Sequence, residues 1–210
     1  MSTPRHNPFP SPTGLERVLL TELVKCARLC YEHGWSHGRA GNFSLRGKDG
    51  LIWQSPAGTH KSELNPQLFI PISIDSMRPV GPAAARPSNE TAIHVGIYRA
   101  VKTALCVVHT HPPYLVAASR GGSDLVFQGE EMQKHLGCRD HHEAVRLPVL
   151  PNPRPEDMLA LAGSLVGEIN PKVNLVVLAG HGVYAWADSP LEALSIVETA
   201  EFLCRTRTIG

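Results

Sequence analysis

No stretch of the 210-residue sequence is apolar over the roughly 18 residues that a membrane-spanning helix needs. A membrane-spanning helix is therefore not expected. An excess of one charge is also missing. Twenty Lys and Arg stand against nineteen Asp and Glu, a formal net charge of +1, which gives no electrostatic case for nucleic acid or acidic lipid. There is no CxxC pair. The cysteines, Cys26, Cys30, Cys106, Cys138 and Cys204, are odd in number, and Cys26 and Cys30 sit one helical turn apart. A disulfide framework is not expected, and a reducing cytoplasm is the simpler setting. The nucleotide P-loop pattern is absent, as is any internal repeat or low-complexity block. Charged residues make up 19 % and apolar residues 42 %, a balance that excludes a disordered chain and supports one buried core. What the sequence does have is histidine: eleven, more than Phe and Tyr together.

The opening MSTPRHNPFPSPTG is rich in Pro and Ser and lacks the apolar run of a signal peptide. Residues 1–13 read as a loose arm and residues 14–210 as a single domain. Leu15, Val18, Leu19, Leu23, Cys26, Ala27 and Cys30 recur at helical spacing. Thr13 and Glu16 form a capping-box start, and Gly34 is a natural stop. Asn42–Leu45, Leu51–Gln54 and Leu68–Pro71 read as strands. A helix from Ser88 carries Ile93, Ile97, Ala100 and Val101. The buried strand Leu105–His111 follows, then a short helix Pro112–Arg120 and a strand Arg146–Val149. A helix over Pro155–Ile169 has Met158, Leu161, Ala162, Leu165 and Ile169 as its apolar stripe. Two strands, Asn174–Ala179 and Gly182–Trp186, meet at the turn Gly180-His181-Gly182. The last helix opens at Ser189-Pro190-Leu191-Glu192, an N-cap followed by a first-position proline. Interleaved strands and helices predict an α/β layered domain whose sheet is covered by helices.

The histidines sort by position. His109 and His111 end an apolar strand at a spacing of two, which puts both rings on one face with Thr110 turned away. Two imidazoles on one face can chelate a divalent ion. His181 lies between two glycines at the end of another buried strand, where the chain can turn sharply and approach a ligand. The three together form a plausible facial site, open for substrate. His94 falls on the second helix as a packed or capped ring. His33, His37, His60, His135, His141 and His142 read as loop or surface residues, and His6 belongs to the arm.

Two small-residue stretches precede the histidine strand: Arg39-Ala40-Gly41-Asn42-Phe43-Ser44 and Ser55-Pro56-Ala57-Gly58-Thr59-His60-Lys61. Gly-containing turns with hydroxyls and one lysine can nest an anion, with Lys61 as the point charge. They also read as plain polar turns. Two glutamates are candidate proton carriers. Glu131 lies in Glu130-Glu131-Met132-Gln133-Lys134, where adjacent carboxylates are ordinarily a solvated face. Glu90 opens the second helix in PSNET, where its charge suits the helix dipole. Composition does not choose between them.

Taken in order, GNFS, SPAGTHK, PSNE, VVHTHPP, GEEMQK and LAGHGVYAW resemble the class II aldolase/adducin family over about residues 15–205. The resemblance implies a three-layer α/β/α domain with a central, mostly antiparallel sheet, and a homotetramer with sites at subunit interfaces. It implies one zinc ion per subunit held by His109, His111 and His181. It implies Glu131 as catalytic acid/base, matched by an EMxK context. Phosphate contacts are implied for Gly41, Asn42, Ser55, Gly58, Lys61 and Ser88, and Glu90 is counted among the substrate-contacting residues. The sequence is most similar to the family's dehydratase branch, which acts on a phosphorylated ketose bearing a methylthio group. His181-Gly182-Val183-Tyr184-Ala185-Trp186 matches that branch's HGxYxW run, with Ala187 where glycine is usual. In the aldolase branch the glutamate of PSxE works in acid–base catalysis, so Glu90 keeps a sugar-phosphate aldolase or epimerase as the alternative. An adducin-like interaction module is expected to lose the metal histidines, and all three are present.

Overall fold

The structure, a computed structural model, describes residues 10–81, 86–170 and 172–209. Most of the expected N-terminal arm, with His6, lies outside the described residues. Helix α1 spans Gly14–Glu32. Both halves of the expected capping box are present: Thr13 N donates to Glu16 (2.5 Å) and Glu16 N to Thr13 Oγ1 (3.4 Å). The same carboxylate accepts Lys48 N (2.9 Å) and Trp53 Nε1 (3.3 Å), so it ties the helix start to the sheet. That tie rotates α1. Leu15 and Val18, expected on the apolar stripe, are exposed, and the buried face runs through Leu20, Leu23, Val24, Cys26, Ala27 and Cys30.

The central sheet has seven strands in the order β3-β2-β1-β4-β9-β8-β7. They are β1 (Asn42–Arg46), β2 (Leu51–Gln54), β3 (Ile70–Ser73), β4 (Cys106–Thr110), β7 (Val149–Leu150), β8 (Leu175–Leu178) and β9 (Gly182–Ala187). Every neighbouring pair is antiparallel except β7 with β8. A separate two-stranded sheet joins β5 (Leu125–Phe127) to β6 (Val145–Leu147). The strand expected over Arg146–Val149 is thus two strands in two sheets. Pro148 stands at the break, where it has no N–H to give to a ladder. The third strand starts two residues later than expected, because Pro66–Leu68 form a 3₁₀ turn capped by Asn65.

Alternation along the strands divides the core. Cys106, Val108, Val177 and Val183 pack with α1 and with α5 (Pro190–Ile209). Val107, Val176, Tyr184 and Trp186 face α2 (Thr91–Ala100) and α4 (Met158–Glu168). Helices therefore cover both sides, in three α/β/α layers. Helix α3 (Pro113–Ser119) follows β4 directly. Its first amides, Tyr114 N and Leu115 N, donate to the buried carboxylate of Glu201 on α5 (3.1 and 2.8 Å). The five cysteines are free thiols, four of them buried. Burial pushes Cys30, Cys106 and Cys204 up to about 12, which leaves them unreactive.

Candidate metal centre

Strands β4 and β9 are antiparallel neighbours with Thr110 opposite Val183. The end of β4 therefore meets the start of β9, and the three predicted histidines come together there. Ligand atoms of His109, His111 and His181 all lie within 4.8 Å of one another. Thr110 points to the opposite face, where it bonds Ser36 Oγ (2.9 Å) and the Trp35 carbonyl (2.9 Å). Gly182 permits the approach: a Cβ there would lie 2.5 Å from the Thr110 carbonyl oxygen and 2.8 Å from the His111 ring.

The far nitrogens fix the rings. His109 Nδ1 donates to the Val183 carbonyl (3.0 Å), and His181 Nδ1 faces Asn152 Oδ1 (3.1 Å). Each bond places the proton on Nδ1 and leaves Nε2 as a lone pair. Tyr184 stacks on His109 with centroids 4.0 Å apart and planes at 13°. Burial, followed by the nearness of His109 and His181, pushes His111 down to about 3, so that ring stays neutral. His109 Nε2 lies 3.1 Å from His111 Nε2.

Helix α2 brings a carboxylate to the same point. Glu90, at the cap of α2, places Oε1 3.4 Å from His109 Nε2 and 3.2 Å from His181 Nε2. Its other oxygen accepts from Asn42 Nδ2. Burial works to raise the Glu90 carboxyl, but positive charge at this point, as from a proton on the facing nitrogen of His109 or His181, outweighs it and holds the carboxyl well below the usual range. Three imidazole nitrogens and a carboxylate oxygen thus converge. With two δ protons committed elsewhere, these acceptors have few protons to share. A divalent cation supplies what such a set needs, and imidazole donors suit zinc among others.

A cleft of about 280 Å³ opens on this point, lined by Gly41, Asn42, Gly58, Ser88, Glu90, His111 and His181 among others. Seven of the predicted site residues are therefore brought together at its wall, with His109 buried beneath. Gly41 has a φ of +77°, and a Cβ there would meet the His109 carbonyl oxygen and Ser36 Oγ, each at 2.8 Å. Ser55 and Lys61 are placed differently. Ser55 is buried and accepts from Phe43 N (3.0 Å). Lys61 is 1 % exposed and donates to the carbonyls of Arg39 (3.2 Å) and Thr59 (3.0 Å), fastening the two small-residue loops together. Burial pushes its ammonium down to about 8. Glu131 is an exposed residue at the start of the 3₁₀ turn Glu131–Leu136, with Lys134 and, at 3.4 Å, His141 as its ionic partners. Lys134 holds its carboxyl low.

Asn152 went unread in the sequence, and His94 was read only as a packed or capped ring, which its burial matches. Asn152 orients His181 from a Pro-Asn-Pro loop, and only the flanking prolines mark it. His94 lies one helical turn after Glu90, a spacing that places both on one face of a helix.

Residues 21–208 match the family described as Class II Aldolase and Adducin N-terminal domain. The chain is 33 % identical over 186 residues to a methylthioribulose-1-phosphate dehydratase of Sorangium cellulosum, covering 87 % of each chain. It is 34 % identical over 191 residues to one of Enterobacter, covering 90 % of this chain and 93 % of that one. Among solved structures, it is similar to YgbL of Klebsiella pneumoniae, a putative aldolase/epimerase/decarboxylase, with a TM-score of 0.75, 26 % identity and coverage of 92 % and 90 %. It is also similar to an L-fuculose-1-phosphate aldolase of Thermus thermophilus, with a TM-score of 0.74, 25 % identity and coverage of 91 % and 94 %. A match over nearly the whole length, together with a sheet that delivers three histidines to one point, makes this chain a member of the class II aldolase and adducin family.

Proposed function

We propose that this protein is a zinc-dependent lyase that dehydrates 5-methylthioribulose 1-phosphate to 2,3-diketo-5-methylthiopentyl 1-phosphate, a step of methionine salvage in the cytoplasm. The observation that carries this reading is the name of the curated relatives, matched at 31–34 % identity over about nine-tenths of the chain.

The residues of the cleft suit the chemistry. Gly41, Asn42, Gly58 and Ser88 hold the phosphate at the cleft wall. Ser55 and Lys61 act behind them by keeping the two loops in register. A zinc ion on His109, His111 and His181, when bound, supplies a Lewis acid for the ketone oxygen. A carboxylate removes the proton from C3 and delivers it to the C4 hydroxyl, which leaves as water. The resulting C3=C4 enol takes a proton at C4 and becomes the second ketone. Glu131 is assigned this proton transfer, worth roughly 10²–10⁴ in rate. Within its own chain Glu131 is paired with Lys134 and His141, so it serves the site of a neighbouring copy in a homotetramer. Glu90 faces the histidines and orders the substrate beside them.

A second reading has its own observation. The Glu90 oxygen against His109 and His181 is placed for proton transfer in an aldolase, which would break the C3–C4 bond of the same ketose. One experiment separates the two. Zinc-loaded protein is incubated with 5-methylthioribulose 1-phosphate and the products are followed by NMR. The diketone supports dehydration. Dihydroxyacetone phosphate with an aldehyde moves the assignment to an aldolase, and unchanged substrate refutes both.

A further inference from the structure

Behind Glu90 lies a row of side chains of which three, Ser44, His94 and Tyr98, have no part in the proposed reaction. Helix α2 contributes Glu90, His94 and Tyr98, one turn apart. Strand β1 contributes Asn42 and Ser44, two residues apart and so on one face. His94, Ser44 and Tyr98 are fully buried, and Asn42 is nearly so. Ser44 Oγ lies 2.7 Å from His94 Nδ1 and 3.0 Å from the Tyr98 hydroxyl. His94 Nε2 contacts Asn42 Oδ1, and Asn42 Nδ2 contacts Glu90 Oε2.

The direction of every bond in this row follows from its end. A carboxylate only accepts, so Asn42 must turn its NH₂ to Glu90. Its carbonyl oxygen then faces His94, which must donate from Nε2. A neutral His94 ring is left with a bare Nδ1, which takes the Ser44 proton, and Ser44 in turn accepts from Tyr98. An amide is free to flip by half a turn, and a flipped Asn42 would set its oxygen against the carboxylate. In this dry layer a mismatch leaves buried groups unpaired. Glu90 sets the sense of the row, and His94, donating from Nε2, is the second partner that holds the amide in it.

We propose that His94 is a positioning residue: by donating from Nε2 it fixes the Asn42 amide, which holds one oxygen of Glu90 and leaves the other facing His109 and His181. The kinetic part of its test rests on the proposed reaction; the other parts do not.

The test uses the full-length protein with His94→Phe, which keeps a ring and removes the donor, and His94→Gln, whose amide N–H can restore it. Both are loaded with Co²⁺ in place of zinc. We expect His94→Phe to bind one cobalt per chain with an altered visible d–d spectrum. Its kcat/KM should fall at least tenfold, because Asn42 and Glu90 both meet the substrate. His94→Gln should recover most of both. A wild-type spectrum and kcat/KM in His94→Phe would overturn the proposal, as would equal losses in both variants at matched melting temperatures. A further measurement needs no variant: ¹⁵N NMR of the metal-free wild type should show His94 as the Nε2–H tautomer, and an Nδ1–H tautomer refutes the assignment even if the variants fail to fold. Wild-type protein that leaves methylthioribulose phosphate untouched would sink the reaction, with the cobalt spectrum and the tautomer still deciding on His94.

Discussion

Acidification from pH 7 to pH 5 should weaken the metal-free protein through His94, by an amount that can be worked out in advance. Burial, and then the nearness of His109, pushes this imidazole down to about 3, with Glu90 opposing. In the unfolded chain an imidazole titrates near 6.5. Between those values the unfolded state binds a proton that the folded state refuses. The stability linked to this ring is therefore complete above about pH 6.5 and is lost as pH falls toward 3. By pH 5 the unfolded ring sits about 1.5 units below its pKa, which corresponds to about 2 kcal/mol. Glu90 does not confuse the window. Its carboxyl is held low, so its contribution is lost only below the ordinary carboxylate range. His111 is also pushed down to about 3, so the wild type alone does not isolate His94. The difference from His94→Phe does. At pH 7 the variant should be the weaker protein, since Asn42 Oδ1 and Ser44 lose a buried partner at about 1–3 kcal/mol each. From pH 7 to pH 5 the gap should narrow by about 2 kcal/mol, the linked term worked out above. Urea unfolding at fixed protein concentration, repeated at pH 7, 6 and 5, measures it. Parallel curves for the two proteins would refute the reasoning, because they would mean that His94 takes up no proton on unfolding.

Three other outcomes are expected. Asn152→Ala removes the partner of His181 Nδ1, and zinc affinity measured by competition with a chelator should fall by roughly 10–100-fold; an unchanged affinity would show that the loop does not orient the ligand. Glu131→Gln should cut turnover of methylthioribulose phosphate by about 10²–10⁴, with metal content and melting temperature unchanged because the side chain is exposed; near-normal turnover removes Glu131 from the reaction. Lys61, pushed down to about 8, gives up its proton earlier in the fold than in the unfolded chain, so it contributes about 3 kcal/mol more stability at pH 10.5 than at pH 8. The buried thiols lose stability over this range in wild type and Lys61→Met alike, so the contribution is read in urea unfolding as the change in the difference between the two proteins, and parallel curves contradict the burial argument.

How much of this was legible in the sequence depended on the range of the interaction. The capping box of α1 is a contact across three residues, and Thr13 with Glu16 could be read directly. The faces of His109 and His111 follow from strand alternation, and the turn at His181 from its flanking glycines. The meeting of β4 with β9 was not visible in either segment; the three histidines were grouped by their chemistry and strand-end positions, and the resemblance implied the same set. Where one residue serves a distant partner, local reading failed. Glu16 reaches Lys48 and Trp53, and this turns Leu15 and Val18 outward. Lys61 looked like an exposed point charge in a polar loop, but the carbonyls of Arg39 and Thr59 draw it inward. Pro148 could have warned that one strand was two. Nothing in the order of residues shows that Asn42 and Ser44 interleave with Glu90, His94 and Tyr98, because that requires α2 to lie across β1.

That interleaving explains why α2 is buried on nearly every side although it carries polar residues. Ile93 and Ile97 pack in the apolar core shared with Leu165 of α4, while Glu90, His94 and Tyr98 meet the polar residues of β1. Burying the second set costs free energy unless each hydrogen bond is made. The row satisfies this condition with one donor and one acceptor at every step. Rotating or sliding α2 by one turn would break the whole row at once, and would also pull the apolar face out of register with α4. The conformation of Glu90 is therefore fixed by the contacts that assemble the layer. Its carboxylate meets His109 and His181, delivered at the ends of two different strands, and neither element could set that geometry alone.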